Sequence, residues 1–352
     1  MRRRATIVIL GCLGCGPTAV TDDGSGGGDS GSSGVTSTST STSQGEGSST
    51  TGAVSTSSTG TSSAADSSSG GPGVFDVSVA ACEGYRNVAD GVYAQSQGEV
   101  DDAAGVECIR GALVLGGGAD DPIVDLSPLA QLQWVGDDLV LEQLTLTDLQ
   151  GLSALAWLDG EIVVGGETVE GGCVINPGLQ RLDGLGALTH VQGLRVCGDG
   201  DATPLQSIDG ASAALVGELG RVWIVGAPQL DAILALDEVT RIDDLVLSAL
   251  PGLASLDGLE TLTTAVHVEL TEVGITDLCG LGALVGVENG VTLDRNPQLS
   301  SLAGADALTH VGSIIIRDNP MLPQADAEAF VATLDVDNGA VVCGNLGGDP
   351  CP

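Results

Sequence analysis

A triplet of the form apolar, any residue, apolar recurs along the chain and limits what it can fold into. Its first members are Leu113, Leu139, Ile162, Leu194, Val222, Leu245, Val268, Val291 and Ile314. The steps between them are 26, 23, 32, 28 and then four of 23 residues. A fixed period in this range signals a solenoid, in which each unit lays one short strand beside its predecessor. Within a strand, two apolar residues such as Leu245 and Leu247 point inward around one outward residue, as the two-residue period of β-structure requires. No unit can bury its apolar face alone, so stability arises between neighbours and both ends need caps. Nine strands at a spacing of roughly 4.8 Å make a rod about 40 Å long.

Composition suits such a stack. Gly supplies 54 residues and aromatics only seven (3 Trp, 2 Tyr, 2 Phe), so the interior must be filled by small aliphatic side chains. Between strands stand recurrent turns: Asn176-Pro177-Gly178-Leu179, Asn296-Pro297-Gln298-Leu299 and Asn319-Pro320-Met321-Leu322, with variants Ala227-Pro228-Gln229-Leu230 and Leu250-Pro251-Gly252-Leu253. Leu182-Asp183-Gly184-Leu185 and Leu256-Asp257-Gly258-Leu259 form a second recurrent turn. Asn at a bend bonds to neighbouring backbone, and Gly allows the positive φ of a tight corner.

These turns, with Leu-Thr-His-Val-Gly-Ser-Ile-Ile-Ile over 308–316 opening a full unit, resemble the receptor L domain. That family includes domains of the insulin and epidermal-growth-factor receptor ectodomains and of many bacterial surface lipoproteins. The resemblance covers about Ala80 to Pro352. It implies an all-β fold: a right-handed, leucine-rich β-helix of about nine coils with short capping helices, expected over 97–105 and 324–333, and a sheet face on which ligands dock. Departures from the pattern are an insert over 165–174 and the segment 197–204. A leucine-rich repeat horseshoe is the near alternative, but it would place Leu two residues after Asn without an intervening Pro.

The N-terminus reads as an address. Met1-Arg2-Arg3-Arg4 is basic and the apolar run that follows, from Ala5 to Gly11, is too short to span a bilayer, which takes ~20 residues. It is the pattern of an export signal. Cys12-Leu13-Gly14-Cys15 resembles the lipobox of bacterial lipoproteins, which implies cleavage and lipidation at Cys15, with Cys12 the alternative. No Asp stands two residues on from either (Pro17 or Gly14), and the resemblance then implies the outer membrane of the cell envelope. Residues 16–73 are rich in Ser, Thr and Gly without apolar periodicity, a composition that cannot repay the entropy of folding. As a flexible linker they would span about 40 Å. The expected organisation is therefore a signal over 1–15, a disordered tether over 16–73 and a solenoid over 74–352.

An exported chain favours disulfides. Of nine cysteines, seven fall in the expected folded part. Cys82 and Cys108 flank the N-terminal cap, Cys343 and Cys351 close the C-terminal tail, and Cys173 and Cys197, 24 residues apart, could staple adjacent coils. Six cysteines allow fifteen pairings, so connectivity stays open at this level. Cys279, where other units carry Asp, is expected to be a free thiol.

Charge excludes one class of partner. With 47 acidic residues against 11 arginines and no lysine, the formal charge is −36, which repels nucleic-acid backbones. His190 and His310 occupy equivalent places five strands apart, roughly 24 Å, too far to share a metal ion. Asp120-Asp121 and Asp199-Gly200-Asp201 lack the further ligands of a calcium loop. There is no phosphate-binding loop and no recognisable nucleophile–base motif. Neither a cofactor nor a metal nor an enzymatic activity is expected.

The outward mid-strand column is more informative: Val114, Val140, Val163, Arg195, Trp223, Val246, Glu269, Thr292 and Ile315. A neighbouring column holds Trp134, Trp157, His190, Arg241, Thr264 and His310. Apolar residues gathered on a nominally solvent-facing sheet mark contact surfaces, although Val and Ile are also simply good strand formers. The expectation is a non-catalytic, lipid-anchored module that presents Val163, Arg195, Trp223, Val246 and Glu269 to a protein or glycan ligand. An envelope spacer and a β-helix polysaccharide-active enzyme are the rival readings. The second of these is disfavoured by the lack of lysine and the scarcity of rings.

Overall fold

The aliphatic triplets pair in the register that their spacing implies. Leu113 stands opposite Leu139, Leu139 opposite Ile162, Ile162 opposite Leu194 and Leu194 opposite Val222. The series continues through Leu245, Val268 and Val291 to Ile314, and every pairing is parallel. The structure, a computed structural model, describes residues 82–118, 120–166 and 172–352. Cys12, Cys15, the expected signal and the expected tether lie outside the described residues.

The paired triplets build a 13-stranded sheet. It extends one strand beyond the triplet series at each end: Val92 pairs with Leu113, and Ala340 with Ile314. A 4-stranded sheet holds Val88–Ala89, Cys108–Ile109, Trp134–Val135 and Trp157–Leu158. Further along the chain the strands Val216–Val225, Glu238–Leu250, Thr264–Val273 and Gly286–Asp294 lengthen to between 9 and 13 residues. The protein is thus mostly β, a parallel solenoid-like stack with long sheets.

The interior is aliphatic throughout its described part. Inward pairs from Leu113 and Leu115 to Ile314 and Ile316 are at most 6% exposed and join one continuous core. Full burial of such a side chain contributes about 1.5–3 kcal/mol, so the repeated pairs carry the stack without rings.

The Asn turns form a buried polar spine beside that core. Asn296 accepts from Val273 N–H at 2.9 Å and donates its Nδ2 to Leu270 carbonyl at 2.9 Å. Asn319 accepts from Asn296 N–H at 2.9 Å, and Asn345 from Asn319 N–H at 3.2 Å. Asn176 does the same work earlier, on Leu144 N–H and the Leu141 carbonyl. Each side chain satisfies the backbone of the preceding coil, so a buried corner leaves few orphaned groups. Just before these turns the chain bends sharply. Gly226, Ala249, Glu272, Arg295, Asp318 and Gly344 all have φ between 50° and 69°. At the Leu-Asp-Gly-Leu turn, Gly258 has φ 107°, and an added Cβ would collide with the Ile233 carbonyl.

Short helices stand near both ends, within the expected ranges. Gln97–Asp102 is capped by Ser96, whose side chain accepts from Glu99 N–H, and buries Val100. Gln324–Val331 follows Pro323 and buries Ala327. The disulfides join Cys82 to Cys108, Cys173 to Cys197 and Cys343 to Cys351. Cys279 corrects an expectation: it is disulfide-bonded and not a free thiol. Its side chain is partly exposed at the head of the Cys279–Leu281 turn.

Candidate ligand-binding face

The outward column forms as its spacing implies, and the structure adds a residue at each end. Tyr93 pairs with Val114 and Val341 with Ile315, and these two are 68% and 47% exposed. Between them Val163, Arg195, Trp223, Val246 and Glu269 lie in consecutive register. They do not form one open apolar stripe. Val163 is 3% exposed and Val246 8%, so both are covered and offer no surface to a ligand. Val246 stands between Trp223 and Glu269, whose longer side chains shade a short one at strand spacing.

What remains partly open at the centre is polar. Two residues earlier in each strand, on the same face, runs a second column: Glu161, Gly193, Arg221, Asp244 and His267. Gly193 contributes no side chain, and the space above it is shared by its neighbours. Glu161 contacts Arg195 Nε at 3.4 Å and Arg221 Nη1 at 3.5 Å. Arg221 Nε lies 3.8 Å from Asp244, whose other oxygen meets His267 Nδ1 at 2.9 Å. Arg195, Arg221, Trp223 and Asp244 together line an open groove of about 280 Å³.

The two groove arginines are held more loosely than the others that form ion pairs. Arg110, Arg241, Arg295 and Arg317 each have a carboxylate oxygen within 2.9 Å. The hydrogen bonds that Arg241, Arg295 and Arg317 donate to Asp243, Glu272 and Asp294 respectively raise the pKa values of these arginines. Among the described residues, Arg195 and Arg221 have only carboxylate contacts of 3.4–3.8 Å. Arg195 Nε is shielded from solvent and makes no hydrogen bond. A guanidinium carries five donors in a fixed fork, so most of the donors on this pair are left for water or a ligand.

The neighbouring column is a ring stack. Trp134 and Trp157 lie 5.0 Å apart with planes 4° from parallel, and His190 stacks on Trp157 at 3.9 Å. Both indole Nε1 atoms are buried without an acceptor. Stacking engages ring faces with one another, so this is a strut between coils more than a platform for a ligand. Glu218, Arg241 and Thr264 continue in register, and His310 pairs with Gly286.

Elsewhere the grooves are acidic. One of about 610 Å³ lies against Asp209, Leu234, Asp237 and Glu238. Among the described residues no group of three metal-ligating side chains gathers. No described helix is long and apolar enough to cross a membrane. No family model, curated protein or solved structure matches the chain.

Sequence reasoning placed Arg195, Trp223 and Glu269 in one column. It did not reach Arg221, Asp244 or Glu161, the residues that give that column its polar contacts. Their signal was a second outward position in the same strands, read two residues earlier.

Proposed function

We propose that the chain is a non-catalytic, lipid-anchored envelope protein of the receptor L-domain kind, a right-handed β-helix of about nine coils or slightly more. It would bind a protein or glycan ligand on the outer face of its long sheet. The observation that carries this reading is the groove at Arg195, Arg221 and Trp223. On a chain of charge −36, two loosely paired cations and a partly open indole are gathered in one concavity. Arg and Trp are the residues most enriched where binding energy concentrates.

A rigid stack suits display, because each strand is held on both sides and the column cannot rearrange without breaking register. The test uses purified full-length chain against solubilised envelope fractions. Trp223→Ala and Arg195→Glu are expected to lose the interactions that the unaltered chain makes. Retention of all of them by both variants would place binding elsewhere and favour an envelope spacer.

A further inference from the structure

We infer that the groove at Arg195, Arg221, Trp223 and Asp244 takes one carboxylate-bearing sugar residue of an otherwise neutral glycan. This deepens the proposed function and rests on it.

The argument starts from the donors. Arg195 and Arg221 stand on adjacent strands of the sheet, since Gly193 pairs with Arg221 and Arg195 with Trp223. Among the described residues they make between them a single hydrogen bond to a protein side chain, from Arg221 Nη1 to Glu161 at 3.5 Å. Two planar forks with unfilled donors match a carboxylate, whose paired oxygens accept from a guanidinium in parallel.

Charge separates this ligand from other anions. Glu161 and Asp244 bring two negative charges beside the two guanidiniums and offset them. A phosphate or sulfate dianion would meet both acids and the −36 of the whole chain. A single carboxylate meets less repulsion, and the two acids then serve as acceptors for hydroxyl groups. A sugar acid supplies both a carboxylate and ring hydroxyls; a simple organic acid does not. Trp223 adds a partly exposed aromatic wall against which the C–H face of a sugar ring can pack.

Size points the same way. The groove, about 280 Å³ and open, falls below the ~300–1,000 Å³ of sites that enclose a whole ligand. It fits one residue of a chain that enters and leaves across the sheet.

The experiment compares an otherwise neutral oligosaccharide carrying a single uronic acid residue with its carboxyl-reduced counterpart, using the full-length chain and calorimetry or affinity electrophoresis. The acid form is expected to bind roughly tenfold more tightly, a factor equivalent to ~1.4 kcal/mol. Arg195→Gln and Arg221→Gln should abolish that preference, while Trp223→Ala weakens both forms together. Arg195→Lys keeps the charge but not the fork, and should lose most of the preference while unfolding at the same denaturant concentration as the parent. Equal binding of the two forms overturns the inference, as does failure of the acid form to bind. If envelope interactions still depend on Arg195 and Trp223 in that case, the binding face stands and only the ligand class falls. If they do not, both fall.

Discussion

Arg221 and Glu161 are 60 residues apart and meet at 3.5 Å across the empty place of Gly193. Gly193 pairs with Glu161 on one side and Arg221 on the other, so the two charged residues stand two strand spacings apart, about 10 Å along the stack. Only long side chains leaning over a residue without one can close that distance. That contact exists because one strand has no side chain there.

Gly193→Ala is therefore expected to cost stability as well as binding. An added Cβ would lie 2.5 Å from the Arg221 carbonyl oxygen, and backbone cannot yield as a side-chain tip can. Overpacking of this kind costs about 1–3 kcal/mol. Guanidinium denaturation measures it, and an unchanged midpoint would contradict the crowding.

The asparagine spine makes a separate prediction. Asn319 accepts from Asn296 N–H at 2.9 Å and donates to the Leu293 carbonyl at 3.0 Å, fully buried. Asn319→Ala strands a buried donor and a buried acceptor, each worth about 1–3 kcal/mol. Destabilisation of about 3 kcal/mol is expected in denaturant titration. Asn176→Ala should behave alike, because it satisfies Leu144 N–H and the Leu141 carbonyl.

Ala249 offers a change in the opposite direction. It holds φ at 52° where the equivalent corners at 226 and 344 are Gly. The left-handed region costs a residue with a Cβ about 1 kcal/mol relative to Gly. Ala249→Gly should accordingly raise the melting temperature by about 2–4 °C. A fall in melting temperature would show that the corner is not strained.

Removal of the Cys173–Cys197 link should cost more than removal of the Cys343–Cys351 link. The sequence separations are 24 and 8, and the chain-entropy relation gives about 3.5 against about 2.6 kcal/mol. Paired Cys→Ser variants compared by denaturation midpoint test the order.

Acid should weaken the turn at Ser127. Asp125 accepts from Ser127 Oγ at 2.6 Å and from Ser127 N–H at 2.8 Å. These bonds, the side-chain one foremost, lower its pKa. A depressed carboxylate pKa stabilises the fold above the unfolded-state value, and the contribution is lost as pH falls through the folded one. Asp125→Asn should flatten that part of the stability profile at the acid end and leave neutral pH less stable than in the parent chain. Identical profiles would show that the turn contributes nothing.

Much of the fold was legible because strand pairing is periodic. Residues such as Leu245 and Val268 must stack on equivalents one coil away, and spacing alone then gives the partner even across the irregular 32-residue step to Leu194. The same periodicity aligned Arg195 with Trp223. It could not say that Val246 is shaded or that Cys279 is bonded, since burial on an outer face depends on which neighbouring side chains lean over it.

The sequence by itself determined the stacking of coils, the register, the inward aliphatic pairs and the sites of the bends, for those depend on one-dimensional repetition. Tertiary structure alone decided the groove. Glu161, Arg195, Arg221 and Asp244 come from four strands, and their contacts depend on side-chain length, a missing Cβ at Gly193 and distances of 3.4–3.8 Å that no spacing rule encodes. Backbone hydrogen bonds repeat with the chain, whereas long polar side chains settle wherever the packed surface leaves them room.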